Sequence, residues 1–388
     1  MLNPDKKSKF KDLILITIIT ILGFFLTYFF LYFERRIIGI DPFYHPDSSY
    51  YYDNFIRDQK LSSSKGIIEN INLYFNNFFT NTLYPSIIGL SFELYEAIQK
   101  INFLSFLHNT FYRYVVSLNI MISLIINVIL LKHYLYTFKD SSYNIKNLIF
   151  FIIILFLPYK MHLSVNILKD IIILLPLVFF FTTKMLSTLL ISFMIATPLR
   201  YGAIIYYFLF LNYKIFNKKI IIGLIVLTIT VSLYLFLKVV YIGFDNTNQD
   251  LIISIKKFLE ARNVADMGGR SYDNIPNFHE FKTGSIIRAL IWPILFISGT
   301  FSFFADSYFM YYLTLEILGI QILIYYFYKK SIISINLILI LVIIGVYCNT
   351  FTAYFRYAYI AFYLSILISF FNIEKTYDSD SKKIIKNY

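Results

Sequence analysis

Asp47, in the stretch HPDSSYY, is a carboxylate suited to taking a proton from a hydroxyl, and Lys169, Arg200, Arg270, Arg288 and Arg356 are cations suited to holding a phosphate. A carboxylate within reach of a hydroxyl acts as a general base. Ammonium and guanidinium groups stabilise the charge that builds on a departing phosphate, arginine through a two-point fork. His45 and Asp170 stand beside these residues in sequence as supporting groups. Together they suit transfer of a group from a phosphate leaving group to a hydroxyl, with no nucleotide-binding fold required.

Each residue also has a plainer reading. Asp47 follows a proline and precedes Ser48 and Ser49, so it also suits the N-cap of a short surface helix. His45 reads first as a hydrogen-bonding loop residue, because Asp41, Asp47 and Asp53 around it lack a metal-ligand spacing, and Asp53 falls off the helical face of Asp47. Lys169 and Asp170, in NILKDII, lie directly before an apolar run, where they anchor a helix at the interface or hold and orient a phosphate. Arg200, in TPLRYGA, can snorkel to lipid headgroups or bind substrate phosphate. Arg270 sits in MGGRSYDN, a glycine-flanked loop that does not match GxxxxGK[ST]. Arg356, in YFRYAYIAFY, fits an aromatic belt as well as a ligand site. Glu316 differs in falling near the middle of an apolar run, where a carboxylate must be neutral, paired or facing a polar cavity.

The elements that must carry these residues are membrane helices. Of 388 residues, 58% are hydrophobic and 15% charged, whereas an ordinary globular chain has about 45–50% and about 25%. The net charge of +12 does not point to nucleic acid, because the Lys and Arg cluster between apolar runs, as positive-inside topology requires. The single cysteine, Cys348, lies in an apolar run, which removes any intramolecular disulfide and reads as packing.

The first run, Leu13 to Phe33, is longer than a signal-peptide core and has no small-residue cleavage site after it, so it is expected to span. Lys6, Lys7, Lys9 and Lys11 put its start in the cytoplasm. Further runs fall at 114–131, 147–160, 171–183, 186–199, 201–213, 220–241, 308–328, 331–349 and 355–372. Their alternation leaves Lys132, Lys139, Lys146, Lys184, Lys214, Lys218, Lys219, Lys329 and Lys330 on the cytoplasmic side. The apolar segment Ser285 to Phe304 carries Arg288 and Pro293, and a crossing there would turn Lys329 and Lys330 outward, so it reads as interfacial or re-entrant.

The expectation is an all-α, polytopic membrane protein, a single domain over 1–388 with about ten spans and both termini cytoplasmic. Residues 34–113 form a first extracytoplasmic loop with interfacial helices such as GIIENINLYFNNFF, and 243–307 form a second. Residues 374–388 form a cytoplasmic tail. Asp41, His45, Asp47, Asp53, Lys169, Asp170, Arg200, Arg270, Arg288 and Arg356 then collect at or near one face.

With HPDSSYY in its first extracytoplasmic loop, this layout looks like the GT-C class of lipid-linked-sugar glycosyltransferases. NILKD before a helix, the later RYG, and FRYAYIAFY near the end resemble the bacterial polysaccharide polymerases of O-antigen and capsule assembly, called Wzy. The likeness covers most of the chain in layout. It implies sugar transfer from an undecaprenyl-phosphate or undecaprenyl-diphosphate donor at the periplasmic face of the bacterial cytoplasmic (inner) membrane. Asp47 would then activate the acceptor hydroxyl while the cations grip the diphosphate. The implied partners are the undecaprenyl-linked oligosaccharide, the bilayer, a chain-length regulator and a flippase. No cofactor is expected. The first loop lacks the adjacent Asp-Asp or Asp-Glu pair of the GT-C pattern, and the chain lacks a large periplasmic domain, which leaves a divalent metal and the exact donor open. Two rivals stand beside the polymerase: a transferase adding one sugar from a polyprenyl-phosphate donor, and a flippase or other transporter, for which Glu316 speaks.

Overall fold

The computed structural model describes residues 4–40, 48, 110–138, 145–200, 203–210, 222, 281–298, 308–328, 332–348 and 351–385. The protein is mostly helical, and among the described residues there is no strand. Four helices are long and apolar enough to cross a membrane by length and composition, within Phe10–Ile38, Tyr112–Thr137, Ile145–Ser164 and Tyr354–Phe371. Shorter apolar helices accompany them, so this is an all-α membrane protein. The expected run 220–241, apart from residue 222, and most of both expected extracytoplasmic loops lie outside the described residues.

The chain forms two compact units, Met1–Ile204 and Ile205–Tyr388. The first contains α1 (Pro4–Tyr32), α2 (Thr110–Thr137), α3 (Ile145–Leu155), α4 (Pro158–Ser164), α5 (Asp170–Thr183) and α6 (Leu186–Leu199). α1 passes into a π-helical turn, Phe33–Ile38, closed by Gly39 at φ 75°, with the Ile40 N–H donating to the Glu34 carbonyl at 2.9 Å. Glycine takes this left-handed conformation without a Cβ penalty. Along α1, Thr17, Thr20 and Thr27 return their hydroxyls to the carbonyls of Leu13, Ile16 and Gly23 four residues back, which satisfies these polar groups within an apolar helix.

The expected span 147–160 is interrupted. Leu157 adopts φ −58°, ψ 132°, and Pro158 starts α4. A residue before proline is pushed out of the helical region, whereas proline itself fits a first helical turn. α4 ends at Ser164, and residues 165–169 run non-helically before α5 resumes at Asp170. α5 packs between α2 and α6, and α4 packs against α1 and α2. The ends expected to be cytoplasmic also meet: His133 on α2 lies 5.9 Å from Phe181 on α5, and Tyr134 stacks on Phe151 of α3 at 4.6 Å.

In the second unit, a short helix α7 (Ile204–Tyr207) tightens into a 3₁₀ turn at Phe208–Phe210. The run expected at 201–213 therefore does not continue as one helix through its described part. The Asn336 amide caps this turn by donating to the Phe208 carbonyl at 3.2 Å. The unit continues with α8 (Phe281–Ser298), α9 (Tyr308–Tyr328), α10 (Ile335–Tyr347) and α11 (Phe351–Ile385). α9 has the bounds expected from sequence, and α10 begins at a Ser334 N-cap whose hydroxyl accepts the Leu337 N–H at 3.2 Å. α8 covers most of the segment read as interfacial or re-entrant and packs on α10 and α11. It buries Trp292 and Phe296, with ring centroids 5.3 Å and 6.1 Å from Tyr354 and Phe296 5.2 Å from Phe355. The helix of α11 continues through the charged segment expected as a tail. Asp378 and Lys382, four residues apart, and Asp380 and Lys383, three apart, are spacings that support a helix.

Candidate functional site

The first unit gathers a buried polar group where the end of α1, the start of α2, the 156–170 segment and the end of α6 converge. Asp170 opens α5, fully buried, and its Oδ1 accepts from Nη1 of Arg200 at 2.5 Å. An acid in the first turn also suits the helix dipole. Arg200 ends α6 in extended conformation and is 7% exposed, so both charges sit away from water. Lys169, immediately before α5, is 5% exposed. Lys169, Asp170 and Arg200 are thus brought into one unit, the last two as an ion pair.

Around them is a network that sequence reasoning missed. Glu34, fully buried in the π-helical turn, has Oε1 2.7 Å from His162 Nδ1 and Oε2 3.4 Å from the Asn166 amide nitrogen. Asn166 donates again to the His162 carbonyl at 2.7 Å. Its Oδ1 accepts from Arg35 Nη2 at 2.7 Å. Arg35 also donates to Tyr112 Oη at 2.6 Å, to the Ile40 carbonyl at 2.8 Å and to the Val165 carbonyl at 3.1 Å. Lys160, also buried, donates to Asn127 Oδ1 and to the Leu155 carbonyl at the preceding helix break.

This network answers where the backbone bonds of the non-helical stretch go. The Val165 carbonyl accepts from Arg35 and from Tyr112 Oη. Those of Asn166 and Leu168 both accept from Asn119 Nδ2, at 2.7 and 3.2 Å, and that of Ile167 accepts from Ser48 Oγ at 3.2 Å. Non-helical backbone inside a membrane protein persists only where such partners or a polar cavity satisfy it.

Of the remaining expected residues, Asp41, His45, Asp47, Asp53 and Arg270 lie outside the described residues. Arg288 falls within α8, with its side chain outside the described residues. Arg356 belongs to the second unit, buried, with its guanidinium 5.2 Å over the Tyr357 ring, as an aromatic setting for this cation requires. Glu316, 8% exposed, accepts from Tyr359 Oη at 2.5 Å. Cys348 is buried at the end of α10. Among the described residues, no group of three or more His, Cys, Asp or Glu could hold a metal ion.

The overlooked residues had faint signals. Glu34 and Arg35 end the first apolar run, His162 and Asn166 are spaced four apart, and Asn119 and Asn127 interrupt an otherwise apolar helix. Buried amides within a span need partners. Compared with known proteins, the chain matches no family model, no curated protein and no solved structure.

Proposed function

We propose that this chain is a membrane glycosyltransferase of cell-surface polysaccharide assembly that polymerises undecaprenyl-diphosphate-linked repeat units, as an O-antigen or capsule polymerase does. The observation that carries the reading is the buried group at the start of α5, where the cations Lys169 and Arg200 outnumber the acid Asp170. A buried excess of positive charge suits a diphosphate leaving group. Ser48, next in sequence to Asp47, is bonded to the Ile167 carbonyl beside it.

In the reaction, the acceptor oxygen attacks the anomeric carbon of the donor and gives up its proton to Asp47. The bond from that carbon to the diphosphate oxygen breaks, and the diphosphate leaves with the electron pair. Lys169 and Arg200 hold it, with Asp170 orienting Arg200. The chemistry takes place at the periplasmic face of the cytoplasmic membrane, in a chain of about ten spans with both termini inside. The convergence of helix ends expected on one side supports this topology.

The test is the surface glycan of a strain lacking the gene, complemented with the wild type, Lys169→Ala or Arg200→Ala. Loss of long chains with a single repeat unit retained, restored by the wild type and not by either variant, is the expected outcome. An unchanged ladder in the deletion strain refutes the reading, and a truncated repeat unit points to a single-sugar transferase. A transporter of lipid-linked oligosaccharide is the second reading. The discontinuous 156–170 segment favours it, because transporter sites are built at such breaks. It predicts lipid-linked repeat units accumulating inside the deletion strain.

A further inference from the structure

The proposed phosphate ligands Lys169 and Asp170 follow directly on residues 165–169, which are not helical. Such a stretch has no internal ladder to fix its path, so the position of Lys169 depends on whatever grips the preceding carbonyls. Among the described side chains, Asn119 grips two of them with one amide, those of Asn166 and Leu168, and Arg35 grips Val165 together with the Asn166 side chain. Asn119 is fully buried on α2, a long helix packed along both α1 and α5. Arg35 is fixed from the other side by Tyr112 and the Ile40 carbonyl, and Asn166 is fixed by Glu34 and His162. With Nε, Nη1 and Nη2 each bonded to a protein acceptor, the guanidinium of Arg35 is a clamp on the backbone and not a ligand of phosphate.

We propose that Arg35 and Asn119 are positioning residues of the diphosphate site: they hold the unwound 165–169 segment so that Lys169 and Asp170 stand in register with Arg200. The inference rests on the glycosyltransferase reading for the identity of the anion. It goes beyond that reading in assigning the geometry of the site to two residues that make no contact with the substrate. A misplacement of about 1 Å is enough to lose about 100-fold in rate when reacting groups must be aligned. Arg35→Lys keeps the charge and loses the fork that reaches Tyr112, Val165 and Asn166 together, so a clamp and a simple counter-charge respond differently to it.

The experiment uses the full chain purified in detergent, with undecaprenyl diphosphate as the probe and undecaprenol as the neutral control. The wild type is expected to bind the diphosphate and not the alcohol, and Lys169→Ala to lose that preference. Arg35→Lys and Asn119→Ser are expected to remain monodisperse and to melt near the wild type while binding the diphosphate at least 10-fold more weakly. Wild-type protein that shows no preference for the diphosphate overturns the diphosphate reading itself. Wild-type binding matched by both variants overturns the positioning role alone and leaves the site assignment standing. Where Arg35→Lys is not recovered as a monodisperse protein, Asn119→Ser decides on the same criterion. Loss of binding in either variant only in proportion to loss of folded protein counts against the proposal.

Discussion

Removing the acid from the Asp170–Arg200 pair is expected to destabilise the first unit far more than removing both charges. Asp170 is fully buried, Arg200 is 7% exposed, and their nearest atoms are 2.5 Å apart. Asp170→Ala leaves the guanidinium in low-dielectric surroundings without this carboxylate, which costs about 3–5 kcal/mol for a buried pair. The unit spans Met1–Ile204, and for a domain of about 150–250 residues each kcal/mol lowers the melting temperature by about 2–4 °C. The expected loss is therefore about 6–20 °C. The double variant Asp170→Leu, Arg200→Met replaces both charges by apolar groups of similar bulk, so most of the loss should return, because the desolvation cost of both ions disappears with their attraction. The assay is thermal melting of detergent-purified protein followed by fluorescence-detected size-exclusion chromatography. A single variant melting within about 2 °C of the wild type, or a double variant melting no higher than the single, would refute the pairing as the dominant local electrostatic feature.

Two further outcomes test the packing. A Cβ on Gly23 would lie 2.7 and 2.8 Å from ring atoms of Phe156, so Gly23→Ala should lower the melting temperature in the wild type, by overpacking worth about 1–3 kcal/mol. In a Phe156→Ala background the same change should raise it, since alanine favours a helix over glycine by about 1 kcal/mol. Ser334→Ala removes the hydroxyl that accepts the Leu337 N–H at the start of α10. It should cost about 1 kcal/mol, seen as a lower melting temperature that Ser334→Asp restores.

Long, strongly apolar runs were legible because their signal is summed over many residues. α9 matches its expected bounds, and α5 and α6 differ from theirs by a residue or less. The breaks were less legible, since they depend on a few local choices. Pro158 was visible in the sequence, but the second break, at residues 165–169, depended on Asn119, Arg35, Ser48 and Tyr112 supplying donors from distant parts of the chain. The α11 helix runs on through most of the segment expected as a cytoplasmic tail, where charge spacing also favours a helix.

The candidate site divides in the same way. Lys169, Asp170 and Arg200 were selected as charges flanking apolar runs, and they share a unit with Asp170 and Arg200 in contact. Glu34 and His162 each stand at or beyond the end of an apolar run, and neither position signals the other. Their 2.7 Å contact joins positions 128 apart in sequence, a separation at which no periodicity carries information.

Amino-acid composition and apolar run length by themselves determine that this is a helical membrane protein, because a bilayer demands long apolar segments whose backbone bonds close locally. Tertiary structure alone decides which charges are paired, which amides hold unwound carbonyls, and that the end of the first helix belongs with residues 156–170. Those outcomes follow from the cost of burying a polar group without a partner. That cost is met by contacts between residues far apart in the chain, and only the folded arrangement specifies them.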